Sequence, residues 1–308
     1  VAYTDEGIAL RTAGISLPIM VMSPDNTSFD RMILWNLEPE IYNINSLQLF
    51  IQSLQRSADK TVGIHIKLDT GMHRLGFTEE ELPSLLKLLQ EHKALKVLSI
   101  FSHLAASENT HFDNFTKVQQ HFFDKMSALL IKTIGYTPLL HLANSAAITR
   151  HPNLHYNMVR LGLGLYGIAD DEVMQKQLQE VALLKTRIAQ IKHIAAGESV
   201  GYSRNFVATN PMKIGVINIG YADGYPRNLG NGVAHVLVHN QAAKIIGNIC
   251  MDLCMIDLSS IESVQEGDEV ILFNQELRIQ QLAKWANTIP YEIMTGISQR
   301  VKRVYMEA

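Results

Sequence analysis

The sequence predicts an α/β fold: a TIM-type (β/α)8 barrel, with its first strand missing from this chain, followed by a mostly β domain. Three observations predict it. Over the first part of the chain, seven short apolar runs alternate with helical segments, and repeated βα units favour a parallel sheet or barrel. No Gly-rich dinucleotide fingerprint follows any of these runs, which argues against the rival doubly wound sheet. After about residue 175 strands follow one another through Gly and Asn turns, with few helices. The expected division is residues 1–175 for a cofactor-binding barrel and 176–308 for the β domain.

In order, residues 1–3 read as the end of a strand, and 5–13 as a helix ended by Gly14. Residues 18–22 form a short apolar strand, 28–37 a helix and 40–44 a strand. Residues 46–57 carry apolar Leu47, Phe50, Ile51 and Leu54 at helical spacing. A strand at 62–68 leads to a helix at 79–91 behind Thr78, a good N-cap. A strand at 97–101, a long amphipathic helix at 114–134 ended by Gly135, a strand at 139–142, a short helix at 146–149 and a strand at 158–165 complete the set. In the second domain, strands are expected at 181–191, 214–219, 233–238, 243–246, 250–258 and 270–273, and a small helix at 279–285.

The 308 residues suit one large domain or two ordinary ones, and the net charge of −3 contains no block of one sign. That disfavours nucleic acid or an anionic membrane as partner. No apolar run approaches membrane-spanning length. Cys250 and Cys254 cannot make a disulfide framework, and no second ligand pair follows them, so no metal is expected and a reducing cytoplasm is. No signal peptide is expected from the first residues. The chain starts at Val1 in what reads as a strand end, so it looks cut at the front, with the eighth barrel strand expected upstream.

Barrel chemistry sits at the C-terminal strand ends, and polar residues gather there: Lys67, Asp69 and Arg74; His103; His141, Asn144 and Ser145; Arg160 with Gly162 and Gly164. Each has a plain explanation alone, such as a snorkelling lysine, a satisfied core histidine, a helix cap or a structural ion pair. Together at one mouth, a hydroxyl, a Gly-rich backbone and two arginines suit a phosphorylated ligand. In the second domain, an apolar run ends in Gly220-Tyr221-Ala222-Asp223-Gly224-Tyr225-Pro226. That is a tight exposed turn presenting a tyrosine. A phenol is a poor base unless its pKa is lowered by a neighbouring cation. An ordinary turn with a packing tyrosine is the alternative on spacing alone.

Five segments, KLDTGMHRLGF from Lys67, HLANSAA from His141, VRLGLGLYG from Val159, GYADGYPR from Gly220 and GNICMDLCM from Gly247, resemble alanine racemase, a pyridoxal-phosphate enzyme of the bacterial wall pathway. They span nearly the whole chain in the family's order. The resemblance implies pyridoxal 5'-phosphate as cofactor, interconversion of L- and D-alanine by two bases, D-alanine supply for peptidoglycan, a cytoplasmic location and a homodimer with shared active sites. It implies that Tyr221 is one catalytic base. Arg160 would face the pyridine nitrogen, with His103 hydrogen-bonded to it. Arg74 would lie near the cofactor's phenolic oxygen and the substrate. Lys67 matches a lysine that some members carry carbamylated. Ser145 and the backbone of Gly162 and Leu163 would cradle the phosphate beside Asn144, and Met251 and Asp252 would line the substrate pocket.

Two departures stand out. The family's cofactor lysine lies in a motif like VKANAYG, which is absent here; its place would precede Val1. The chain as given is therefore expected to be inactive, a fragment of an active enzyme whose parent could be a ligase–racemase fusion. Gln299 stands where many members have a tyrosine touching the phosphate. The rival readings are a racemase for another amino acid such as serine, a non-catalytic pyridoxal-phosphate-binding protein, a decarboxylase of the same two-domain plan, and a metal-dependent hydrolase, for which one strand-end His103 is too few ligands.

Overall fold

The computed structural model describes residues 1–57, 61–169 and 171–306. The chain divides into two units, Val1–Gln179 and Glu180–Ala308.

In the first unit the elements run α1 (Thr4–Thr12), β1 (Met20–Val21), α2 (Phe29–Leu34), β2 (Glu38–Ile41), α3 (Ile44–Arg56), β3 (Val62–Lys67), α4 (Leu82–Glu91), β4 (Leu95–Phe101), α5 (Asp113–Ile134), β5 (Leu139–His141), α6 (Ser145–Arg150) and α7 (Glu172–Gln175). β1 to β5 pair in chain order and every pair is parallel. Strands of a parallel sheet are covered on both faces and should be apolar throughout. β3 and β4 comply with Ile64, Ile66, Val97 and Ile100, all buried. Glu40, His65, Lys67, Ser99 and His141 break the rule, being polar and buried in the strands. Those exceptions lie in a buried polar layer of the sheet. α3 turns Leu47, Phe50, Ile51 and Leu54 into the core, each contributing about 1.5–3 kcal/mol by burial. Asn43 caps it, accepting from Ser46 N at 2.7 Å. α5 ends where Gly135 takes φ 82°, as a left-handed C-cap does.

Two of the seven expected strands are not strands. Residues 1–3 are extended, and the carbonyls of Val1 and Ala2 accept from Met22 and Ser23, but α1 begins at Thr4 and leaves too little chain for a ladder. Residues 158–165 lie alongside β5 through Asn157 N to Leu140 O and Arg160 N to Ala143 O. Gly162 then departs from extended geometry (φ −108°, ψ −98°) and a short 3-10 turn, Leu163–Tyr166, follows.

The second unit holds β6 (Leu184–Ile194), β7 (Ser199–Val200), β8 (Phe206–Val207), β9 (Met212–Ile217), β10 (His235–Val238), β11 (Gln241–Ile246), β12 (Cys254–Asp257), β13 (Glu269–Phe273), α8 (Ile279–Ala286) and α9 (Pro290–Gly296). Six strands close into a barrel in the order β10-β11-β12-β9-β6-β13. Closure removes exposed strand edges. The strand expected at 250–258 starts only at Cys254, because Cys250 to Leu253 form a turn whose carbonyls serve the neighbouring Tyr221 segment. Cys254 is buried and Cys250 half-buried, both free thiols. Among the described residues no helix is long and apolar enough to cross a membrane.

Candidate functional site

Arg160 is the hub of the polar cluster in the first unit. Its Nη1 donates to His141 Nδ1 at 2.7 Å and to His141 O at 3.3 Å. Its Nη2 donates to Ser102 O at 2.7 Å, to Leu142 O at 3.1 Å and to His103 Nδ1 at 3.3 Å. Burial lowers its pKa to about 10, with Glu40 acting in the opposite sense, so it stays a cation at neutral pH. A guanidinium facing two imidazoles forces both to be acceptors, hence neutral. Burial first, then the positive charge of Arg160, holds His141 down at about 2. Burial, then Arg160, Arg74 and Lys67, holds His103 at about 4.

The hydrogen bonds continue inward in one direction. His141 Nδ1 accepts from Arg160, so its Nε2–H donates to Ser99 Oγ at 3.0 Å. The Ser99 hydroxyl then donates to His65 Nδ1 at 2.7 Å. His65 Nε2–H in turn reaches Glu38 Oε2 at 2.9 Å. The tautomers follow from the one certain donor, the guanidinium. Phe101 supports the same layer: its ring stacks on His141 at 4.7 Å and 4°. Arg160 and Lys67 lie 5.5 and 5.6 Å from that ring, within cation–π range.

Beside this cluster, Ser145 Oγ accepts from Gly162 N at 2.8 Å and weakly from Gly164 N at 3.5 Å. These amides already converge on an oxygen, the arrangement an anionic phosphate oxygen requires. A Cβ on Gly164 would sit 2.8 Å from Leu161 Cδ1, so a larger residue there would press on the Leu161 side chain. Asn144 is the N-cap of α6, its Oδ1 accepting from Ala147 N at 3.0 Å and from Ser107 Oγ at 2.8 Å. Leu163 is buried. Arg160 Nε has no acceptor among the described residues, while both Nη atoms are fully engaged. An N–H donor of that kind suits an acceptor nitrogen. The residues present thus fit a group with a phosphate and an unprotonated pyridine nitrogen, as pyridoxal phosphate has.

Lys67 Nζ lies 2.9 Å from Glu40 Oε1, both side chains buried. Burial pushes the Glu40 carboxyl up, and Lys67 pulls it back down. Arg74 is exposed. It makes no hydrogen bond or ion pair to a described residue, yet its charge bears on both Glu40 and His103. Asp69 shapes the turn between them, accepting from Gly71 N and His73 N, both at 3.0 Å.

In the second unit Tyr221 and Met251 are exposed. Tyr221 N donates to Cys250 O at 3.1 Å and Ala222 N to Met251 O at 3.0 Å, so the two turns are laced together. A Cβ on Gly220 would fall 2.3 Å from Met251 O, so only glycine permits that approach. Asp223 closes the Tyr221 turn, accepting from Gly220 N at 2.8 Å. Arg300 binds both turns, with Nε 2.7 Å from Asp223 Oδ1 and Nη2 2.5 Å from Asp252 Oδ1.

The structure thus brings Arg160, His103, Ser145 and Gly162 together in one unit, and Tyr221, Met251 and Asp252 together in the other. Sequence reasoning missed Glu40, His65, Ser99 and Arg300, and gave His141 no role. For His65, Ser99 and His141 the available signal was a polar residue inside a mostly apolar strand, a signal that Glu40 lacked in the run Glu38-Pro39-Glu40-Ile41. Arg300 carried no such signal.

A family model described as "Alanine racemase, N-terminal domain" matches residues 1–170, and one described as "Alanine racemase, C-terminal domain" matches 181–305. Alanine racemase of Nostoc sp. strain PCC 7120 is 38% identical over 99% of this chain and 81% of its own length. That of Helicobacter pylori strain J99 is 36% identical over 99% and 84%. Among solved structures, alanine racemase of Clostridium difficile 630 superimposes with TM-score 0.90 at 32% identity, covering 99% of this chain and 82% of that one. Alanine racemase from Bacillus anthracis with bound L-Ala-P does so with TM-score 0.89 at 30% identity, covering 100% and 80%.

Proposed function

The chain belongs to the alanine racemase family of isomerases, and from that premise we propose that it serves the interconversion of L- and D-alanine with pyridoxal phosphate. The observation that carries the reading is the seat of Arg160: a cation whose Nη atoms are spent on neutral histidines and carbonyls, leaving Nε for a ligand. When bound, the cofactor would supply the electron-withdrawing ring that makes the Cα proton of alanine acidic. Arg160 would donate a hydrogen bond to the ring nitrogen and, as an arginine, would not surrender the proton. Ser145 and the Gly162 and Leu163 amides would hold the phosphate, and Arg74 would face the phenolic oxygen and the substrate. Met251 and Asp252 would border the substrate.

Tyr221 would move the proton at Cα on the L-alanine side. The opposite base would be the lysine of the VKANAYG-type motif, which does not occur in these 308 residues. They alone are therefore proposed not to turn over. The exposed Tyr221 and Met251 turns support a homodimer in which each subunit's second unit completes its partner's site. D-alanine for peptidoglycan and a cytoplasmic location complete the proposal. The test is Tyr221→Phe in a protein that carries these residues together with the cofactor lysine. Racemisation should fall sharply while cofactor binding is spared; near-normal turnover sinks the assignment.

A further inference from the structure

Glu40 has no part in the chemistry above. It is wholly buried in β2, with Oε1 2.9 Å from Lys67 Nζ. Its Oε2 is buried without a hydrogen-bond partner among the described residues. After Lys67, the positive groups that bear on it are Arg74 and Arg160. A carboxylate this deep stays charged only with a counter-charge in contact, and the Lys67 ammonium is that contact.

Carbamylation would remove it. The ammonium must first lose a proton. The neutral Nζ then attacks the carbon of CO2, a C–N bond forms, one C–O π pair moves to oxygen, and the nitrogen releases a second proton. A cation becomes an anion 2.9 Å from Glu40 Oε1, where the pair now attracts. Two anionic groups sharing a buried site raise each other's pKa and resist joint ionisation. The Phe101 ring beside Lys67 also presents its negative face to a cation and not to an anion.

We infer that Glu40 is a positioning residue that keeps Lys67 an uncarbamylated ammonium and itself supplies the negative charge at the end of β3. Geometry alone carries this, independently of which reaction the site performs. The test is a 13C NMR spectrum of the full chain equilibrated with 13C-bicarbonate, with Lys67→Arg as the assignment control. The wild-type chain should show no carbamate carbon at Lys67. Glu40→Thr should gain one, and the double variant with Lys67→Arg should lose it again. A Lys67 carbamate in the wild-type chain overturns the inference, and so does a folded Glu40→Thr protein that takes up none. Where Glu40→Thr folds poorly, Glu40→Gln, which keeps the shape and removes the charge, is read in its place; it should likewise gain the Lys67 carbamate, and a folded Glu40→Gln protein that takes up none overturns the inference.

Discussion

Replacing Ser99 by alanine tests the directed chain of hydrogen bonds behind Arg160. The Ser99 hydroxyl, buried in β4, is shared by His65 Nδ1 at 2.7 Å and His141 Nε2 at 3.0 Å. Alanine leaves both ring nitrogens without that partner. Each unsatisfied buried group costs about 1–3 kcal/mol. The two share one network and will not add fully, so the expected loss is roughly 2–4 kcal/mol. With a urea slope of about 2 kcal/mol per molar, the middle of the usual range, the unfolding midpoint should drop by about 1–2 M. The assay is urea unfolding followed by a probe in the first unit, since two units need not unfold together. Long-range 15N–1H NMR of the imidazoles supplies the second readout. In the wild type both His141 and His65 should carry their proton on Nε2, and the variant should disturb the tautomer of at least one. A loss under about 0.5 kcal/mol, well below the cost of one unsatisfied group, together with unchanged tautomers, would refute the directed chain.

Three further outcomes are expected. Gly224→Ala should destabilise the second unit by at least about 2 kcal/mol, because Gly224 has φ +92° and a Cβ would fall 2.0 Å from Gly296 O; a thermal melt within a degree of wild type contradicts this. Lys67→Met should cost about 3–5 kcal/mol by stranding the Glu40 carboxylate, and Glu40→Gln should cost less, as chemical unfolding of the pair would show. Acid should destabilise the first unit from about pH 6.5 downward. There the unfolded histidines bind protons while His103 and His141 stay neutral to about 4 and about 2. The loss is at most about 1.4 kcal/mol per pH unit for each histidine, with Glu40 working in the opposite sense because burial raises its carboxyl. A midpoint that stays flat between pH 7 and 5 contradicts it.

Much of the fold was legible because apolar spacing marks helices and strands directly. Leu47, Phe50, Ile51 and Leu54 announced α3, and the apolar runs around Ile64 and Ile100 announced β3 and β4. The flanking segments misled because a run such as Met158-Val159 reads as strand, whereas strand identity rests on ladder bonds that Gly162 interrupts. The candidate site could be proposed from sequence where its residues lie in contiguous motifs, as with Asn144-Ser145 or Gly220-Tyr221. It was opaque where partners meet across the sheet. Glu40 and Lys67 are 27 residues apart, Ser99 and His141 are 42, and Arg300 reaches Asp223 across 77. No local pattern encodes such pairings.

The proposed activity is tested most directly by a substrate panel. A protein that carries these residues together with the cofactor lysine, loaded with pyridoxal phosphate, is offered each L-amino acid separately, and the D-enantiomer is measured by chiral chromatography. The account predicts D-alanine formation from L-alanine, reversible from the D side and faster than serine racemisation. Stoichiometric cofactor binding with no racemisation of alanine, or a clear preference for another amino acid, would contradict it.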